Sequence, residues 1–221
     1  MKKLSFFALL FILFSLFSCS KKNDIVAPQD ESQLSEQPAT VADESATKQV
    51  SWDQLPAELK NATPLPTESE QVKEGAARPL NSFYRYIYGP WGSNYGYPYY
   101  FYPPYGSKIY AIAFGYGSYI NKITIWYLIN GSLYVAHTGG NHDGFYVYYR
   151  FSYNEYIYRI SGRAGNYLNY LKIYTNKRYF SFGGSGGNWF DATVSYGYQV
   201  LGFYGKYSNY INKFGFYAYP R

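Results

Sequence analysis

The chain has 221 residues, a formal net charge of +6, 47% hydrophobic residues and 23% aromatic residues, including 31 tyrosines. One cysteine excludes an intrachain disulfide framework. The aromatic content excludes a chain that is disordered throughout, and the length leaves room for one domain with its own core beside less structured segments.

Residues 1–18 read as a targeting segment. Lys2 and Lys3 open it, residues 4–17 form an apolar run too short to span a bilayer comfortably, and the run closes at Cys19. The arrangement resembles a bacterial lipoprotein signal. That resemblance implies cleavage before Cys19 and acyl chains on its thiol and new amino terminus, which would hold the protein to a membrane at ~0.8 kcal/mol per buried methylene. The expected location is the outer membrane or cell surface.

Residues 19–80 read as a disordered acidic linker. From residue 20 they hold six prolines, 6 Lys plus Arg against 11 Asp plus Glu, and no tyrosine. Such a stretch buries too little apolar surface to offset its ordering entropy. A short helix within 52–60 is the one local exception that the residue pattern allows.

From residue 81 the character reverses: residues 81–221 carry every tyrosine and 12 Lys plus Arg against 3 Asp plus Glu. Period-two alternation at 123–127, 132–136, 145–149, 156–160 and 198–203 predicts short strands, and no window of eleven carries a helical stripe. Asn130-Gly131 predicts a type I′ hairpin turn, because both central residues need positive φ. The Tyr- and Pro-rich stretch 94–105 fits none of these strands and reads as an insertion, either a glycan-stacking loop or a patch for another protein.

One phrase occurs three times: Gly117-Ser-Tyr-Ile-Asn121, Gly165-Asn-Tyr-Leu-Asn169 and Ser208-Asn-Tyr-Ile-Asn212. Glycine loops at 89–92, 139–140 and 183–187 recur in step with it. A period of this size signals repeated supersecondary units, and three units select a β-prism, an all-β fold of three sheets about one axis. The apolar positions after each turn are equivalent: Ile120, Ile123 and Ile125, then Leu168, Leu171 and Ile173, then Ile211, Phe214 and Phe216. These nine should form the shared core.

Across residues 88–220 the ordered motifs resemble the jacalin-like lectins, whose fold is a β-prism of three Greek keys with pseudo-threefold symmetry. They include Gly89-Pro-Trp-Gly92, Glu155-Tyr-Ile-Tyr-Arg-Ile-Ser-Gly162, Leu171 to Arg178 and Leu201-Gly-Phe-Tyr-Gly205. The resemblance implies carbohydrate binding without catalysis, where a Gly-x-x-x-Asp turn meets a glycine loop. Carried over residue by residue, one site combines Ser208, Asn209, Tyr210 and Asn212 with Gly92. A second combines Gly117, Ser118, Tyr119 and Asn121 with Gly139 and Gly140. The third joins Gly165, Asn166, Tyr167 and Asn169 to the loop that begins Gly183-Gly184.

In such a turn, backbone N–H groups donate to sugar oxygens and the fifth residue's side chain accepts from the neighbouring hydroxyls. This chain carries asparagine at all three fifth positions and Ser208 at one first position. Losing the carboxylate charge weakens each site for a neutral hexose by roughly tenfold and tilts preference from mannose- or glucose-type sugars toward acidic polysaccharides. The turn tyrosines could stack on a sugar face or pack on the prism rim.

No enzyme chemistry is expected. Asp143, Glu155 and Asp191 offer no opposed carboxylate pair, and His142-Asp143 lacks a second cluster with metal-ligand spacing. The 183–187 loop lacks the Lys-Ser/Thr ending of a phosphate loop, so no cofactor is expected either. Export argues against nucleic acid as a partner. The alternative to sugar binding is a surface protein-interaction or structural module on the same prism. Oligomeric state stays open at this stage.

Overall fold

The computed structural model describes residues 48–66, 85–140 and 145–221. The expected signal segment, Cys19 and the His142-Asp143 pair lie outside the described residues. Among the described residues, no helix is long and apolar enough to cross a membrane.

Among the described residues, twelve strands follow residue 85: β3 (Tyr86–Gly92), β4 (Tyr97–Phe101), β5 (Lys108–Tyr116), β6 (Ile120–Ile129), β7 (Ser132–His137), β8 (Phe145–Arg150), β9 (Ile157–Ala164), β10 (Leu168–Thr175), β11 (Tyr179–Gly183), β12 (Asn188–Thr193), β13 (Tyr198–Tyr207) and β14 (Ile211–Pro220). Antiparallel pairing sorts them into three four-stranded sheets, in the orders β8-β5-β6-β7, β12-β9-β10-β11 and β4-β13-β14-β3. The first two have three consecutive strands and a fourth that returns beside the first, which is Greek-key order. The third has the same order once β13 and β14 are counted before β3 and β4. The sheet is therefore closed by both ends of the domain. The fold is the expected β-prism.

All nine apolar positions of the repeated phrase are fully enclosed in one core. Phe114 stacks on Phe182 with ring centroids 4.0 Å apart, and Phe203, Phe214 and Phe216 join the same cluster. The Asn130-Gly131 hairpin has φ of 49° and 83° at its two central residues, as the turn type requires.

Two expectations are corrected here. The stretch 94–105 is no insertion: it contains β4, registered against β13 from Tyr97↔Tyr207 to Phe101↔Phe203. Tyr99 and Phe101 enter the core while Tyr100 stands outward, so the segment obeys period two beneath its tyrosine excess.

The second correction concerns the linker, expected to be disordered over 19–80. Within it, β1 (Lys48–Val50), a 3-10 turn at Trp52–Gln54, α1 (Ala57–Lys60) and β2 (Thr63–Pro64) form a strap across the β8-β5-β6-β7 sheet. β1 extends the sheet beyond β8 and β2 extends it in parallel beyond β7. Between them Leu55 and Leu59 are buried with Trp126, Ala111, Ala113 and Tyr146, and the Trp126 indole N–H donates to the Leu59 carbonyl at 2.8 Å. The alanines on β5 leave the room that the two leucines occupy. The compact unit therefore starts before residue 81.

Candidate functional site

The repeated phrase forms three equivalent connections. Loops 117–119, 165–167 and 208–210 join β5 to β6, β9 to β10, and β13 to β14. In each, the first residue's N–H donates to the third residue's carbonyl: Gly117 to Tyr119 at 3.0 Å, Gly165 to Tyr167 at 2.9 Å and Ser208 to Tyr210 at 2.9 Å.

Each loop is followed by the same irregularity. Tyr116 pairs with Ile120 but Gly115 pairs with Lys122, which leaves Asn121 as the extra residue of a β-bulge. Asn169 holds that position between the Leu168 and Tyr170 pairs, and Asn212 between the Ile211 and Lys213 pairs. A bulge shifts the side-chain alternation by one. That shift is why Ile120 and Ile123, three apart, can both face the core, and it is what aims each asparagine away from the core.

The backbone carbonyls of the asparagines abut the glycine loops of their own sheets. A Cβ on Gly140, Gly183 or Gly92 would collide with the carbonyl oxygen of Asn121, Asn169 or Asn212 respectively, and all three glycines have positive φ. Only glycine allows that approach. In two units the next N–H completes the contact: Gly184 donates to the Asn169 carbonyl at 2.9 Å and Ser93 to the Asn212 carbonyl at 2.8 Å. Gly92, Gly140 and Gly183-Gly184 thus lie against the turns with which the sequence pairs them, whereas Gly139 faces the Tyr207 ring of another sheet.

Adjacent sheets also meet here. Ser93 Oγ donates to the Asn166 carbonyl at 2.9 Å. A Cβ on Gly184 would come within 2.9 Å of the Ser118 carbonyl oxygen. At the centre, Tyr119, Tyr167 and Tyr210 form a triangle of rings with centroid separations of 5.0, 5.1 and 5.2 Å. The three tyrosines pack against one another on the rim of the prism. Gly117, Ser118, Asn166, Asn209 and Tyr210 are the exposed members of the turns, and Gly186 and Gly187 are exposed beside the 165–169 turn.

The three sites differ in how the asparagine amide is used. Asn212 is 1% exposed, and its Oδ1 accepts from Ser208 Oγ at 2.8 Å while Nδ2 reaches the Asn166 carbonyl at 3.5 Å. Serine in place of glycine therefore occupies the side-chain acceptor oxygen of Asn212. Lys206 and Lys213 further pin Asn94 beside this turn, at 2.8 Å to its carbonyl and 2.8 Å to its Oδ1. Asn169 lies against Gly186 and Gly187, with 3.3 Å from a Cβ on Gly186 to its Nδ2, so that small residues border its amide.

Glu155 and Asp191 are taken up by structure. Arg178 Nε donates to Glu155 Oε1 at 2.9 Å, with Thr175 Oγ1 and the Ser152 N–H and hydroxyl donating to the same carboxylate, each at 2.9 Å. Asp191 forms a two-pronged pair with Arg159, which holds its carboxyl below the usual carboxylate range. Among the described residues no group of three His, Cys, Asp or Glu side chains could hold a metal.

Residues 88–217 match the family described as the Jacalin-like lectin domain. Among solved structures, a Malaysian banana lectin is 28% identical with a TM-score of 0.56, over 62% of this chain and 99% of that one. The Calystegia sepium agglutinin is 26% identical with a TM-score of 0.56, over 65% and 99%. Calsepa lectin, solved in complex with a biantennary N-glycan, is 26% identical with a TM-score of 0.56, over 66% and 100%. No curated protein matches the chain. The family match spans more than half of the chain and coincides with the three Greek keys, and on that basis the chain belongs to the jacalin-like lectin family, whose members bind carbohydrate rather than transform it.

Proposed function

We propose that this is a lipid-anchored lectin of a bacterial envelope. It is tethered through Cys19 and holds glycans at its Gly-x-x-x-Asn turns without altering them. The observation that carries the reading is the threefold recurrence of one local geometry: a bulged asparagine beneath a positive-φ glycine, with a three-residue turn beside it, all at one end of the prism. Of the three, the turn at 165–169 is the strongest candidate, since its asparagine amide is bordered by glycines and Ser208 closes its counterpart. The turn at 117–121 comes next. Weak sites at neighbouring turns gain from multiplicity, because a polymer bound at one is presented to the next at high effective concentration.

A glycan array probed with the full chain tests this reading. Signal on mannose-, glucose-type or acidic glycans should fall at least tenfold in Asn121→Ala plus Asn169→Ala. Retention of signal in a double variant whose melting temperature is unchanged would sink the assignment. A gain of function is also expected. Asn169→Asp restores an ionised acceptor and should tighten binding of a neutral hexose by about tenfold, or ~1.4 kcal/mol, with less gain for sulfated ligands. Calorimetric titration of both variants against methyl mannoside and a sulfated disaccharide reads the difference.

A second reading rests on Tyr95, just before β4, and Tyr97, at its start, which are 72% and 71% exposed. Exposed aromatic side chains of this size suit a protein partner. An array without signal, together with loss of partner binding in Tyr97→Ala, would favour it.

A further inference from the structure

The end of the prism remote from the turns holds a cavity of about 540 Å³, formed where β5, β9 and β13 begin and β6, β8 and β14 end. From Lys108 at the cavity to Tyr116 at the turn, β5 covers eight steps, about 25 Å, so the two ends are independent sites. The volume falls in the range of ~300–1,000 Å³ that suits a small ligand. Its floor is apolar: Ile109, Phe151, Ile157, Val200 and Leu201 are the bottom of the prism core, buried yet lining an open space.

The mouth carries three cations. Lys108 Nζ lies 5.4 Å from the Tyr153 ring centroid, Arg150 sits 4.6 Å from that of Tyr110, and Arg221 sits 4.1 Å from that of Tyr156. The carboxylates nearby are already engaged. Glu155 is bound by Arg178, Thr175 and Ser152, and Glu58 accepts the Tyr110 hydroxyl at 2.9 Å while standing 3.6 Å from Arg150. Lys108 has no ion pair to a carboxylate among the described residues. The cavity therefore combines an apolar interior with an excess of positive charge at its mouth, and aromatic rings hold the cations over the opening.

We propose that this cavity binds a small amphipathic anion, with its apolar body on the Ile109, Phe151 and Leu201 floor and its sulfate, phosphate or carboxylate head at Lys108 and Arg150. A neutral sugar does not fit this chemistry, because the floor offers its hydroxyls no partners. A fully apolar guest would leave Lys108 without a counter-charge. The site is separate from the glycan turns in both position and ligand class.

The test uses the full chain and two probes of matched shape, 1-anilinonaphthalene-8-sulfonate and its uncharged parent N-phenyl-1-naphthylamine, followed by fluorescence and calorimetric titration. The expected result is one saturable sulfonate site whose affinity drops at least tenfold in Lys108→Gln plus Arg150→Gln and returns in large part with Lys108→Arg plus Arg150→Lys. Asn169→Ala and a mannose competitor should leave it unchanged. Both cations are exposed, so the variants should fold, and an unchanged melting curve verifies this. Equal affinity for the uncharged probe, equal affinity in the double variant, or no saturable site would each overturn the proposal. A lost sulfonate site with an intact glycan-array signal separates its failure from that of the lectin reading.

Discussion

Arg178→Ala is expected to destabilise the prism by about 3–5 kcal/mol, because it leaves the Glu155 carboxylate enclosed without its counter-charge. The Glu155 side chain is 1% exposed and that of Arg178 18%. The guanidinium does more than neutralise: its Nη2 also donates to the Arg150 carbonyl, so it ties the end of β8 to the loop before β9 and to the β10-β11 turn. Chemical denaturation of wild type and Arg178→Ala at pH 7 measures the loss. A change below ~1 kcal/mol, the value of a surface pair, would show that the network is peripheral.

The same carboxylate sets a pH dependence. Burial by itself would raise the Glu155 pKa, but hydrogen bonds from the Ser152 N–H, Arg178, Thr175 and the Ser152 hydroxyl outweigh it and hold the carboxyl below its ordinary value. A carboxylate with a depressed folded pKa contributes stability that is complete above its unfolded pKa of about 4.3 and is lost as pH falls through the lower folded value. Stability should therefore fall steeply below about pH 4, and Glu155→Gln should flatten that part of the curve while lowering the plateau at neutral pH. An acid limb identical in wild type and variant would assign the transition to other groups.

Leu59→Ala should produce the second large effect, a loss of about 2–5 kcal/mol in docking of the strap. Leu59 is 1% exposed, and its own carbonyl holds the Trp126 indole. Trp52 lies in the same layer, 6.3 Å from the Trp126 ring, with Lys122 Nζ over its face at 5.4 Å. Removing the leucine leaves a void beneath α1 and weakens the seat of both tryptophans. The measurement is tryptophan emission with limited proteolysis: a red shift and early cleavage within 48–66 are expected, while the three Greek keys remain folded. Unchanged emission and unchanged cleavage would mean that β1 and β2 hold the strap without the leucines.

The strap also shows what composition conceals, although the short helix allowed within 52–60 is present as the 3-10 turn and α1. Prolines, acids and the lack of tyrosine describe residues 19–80 as a whole, and they outweigh the spacing Trp52, Leu55, Leu59, one apolar residue per helical turn. That spacing was the available signal. What it lacked was a receptor, and the receptor is built from residues far away in sequence, the Ala111 and Ala113 gap beside Trp126. Similarly, β4 was obscured by exposed tyrosines at 95, 97 and 100, and its strand character depends on β13, more than a hundred residues later.

The bulges were encoded more openly. Apolar residues at 120, 123 and 125 break strict alternation in all three copies of the phrase, and only an extra residue after the first of them reconciles that pattern with one buried face. The asparagine is that residue in each copy. The Ser208 substitution was equally visible, but its consequence, a hydroxyl bonded to Asn212 Oδ1, required coordinates.

The repeat, its apolar positions and its glycine loops determined the fold without any coordinates, because side-chain periodicity and positive-φ glycines are local properties that each copy restates. The tertiary structure decided that the Asn212 amide is bonded to Ser208, where the turn tyrosines pack, that the strap belongs to the domain, and that a cationic mouth opens at the far end. Each of those outcomes depends on side chains from different sheets or distant segments meeting in space. Their meeting is fixed by how the prism closes rather than by the order of residues along any one strand.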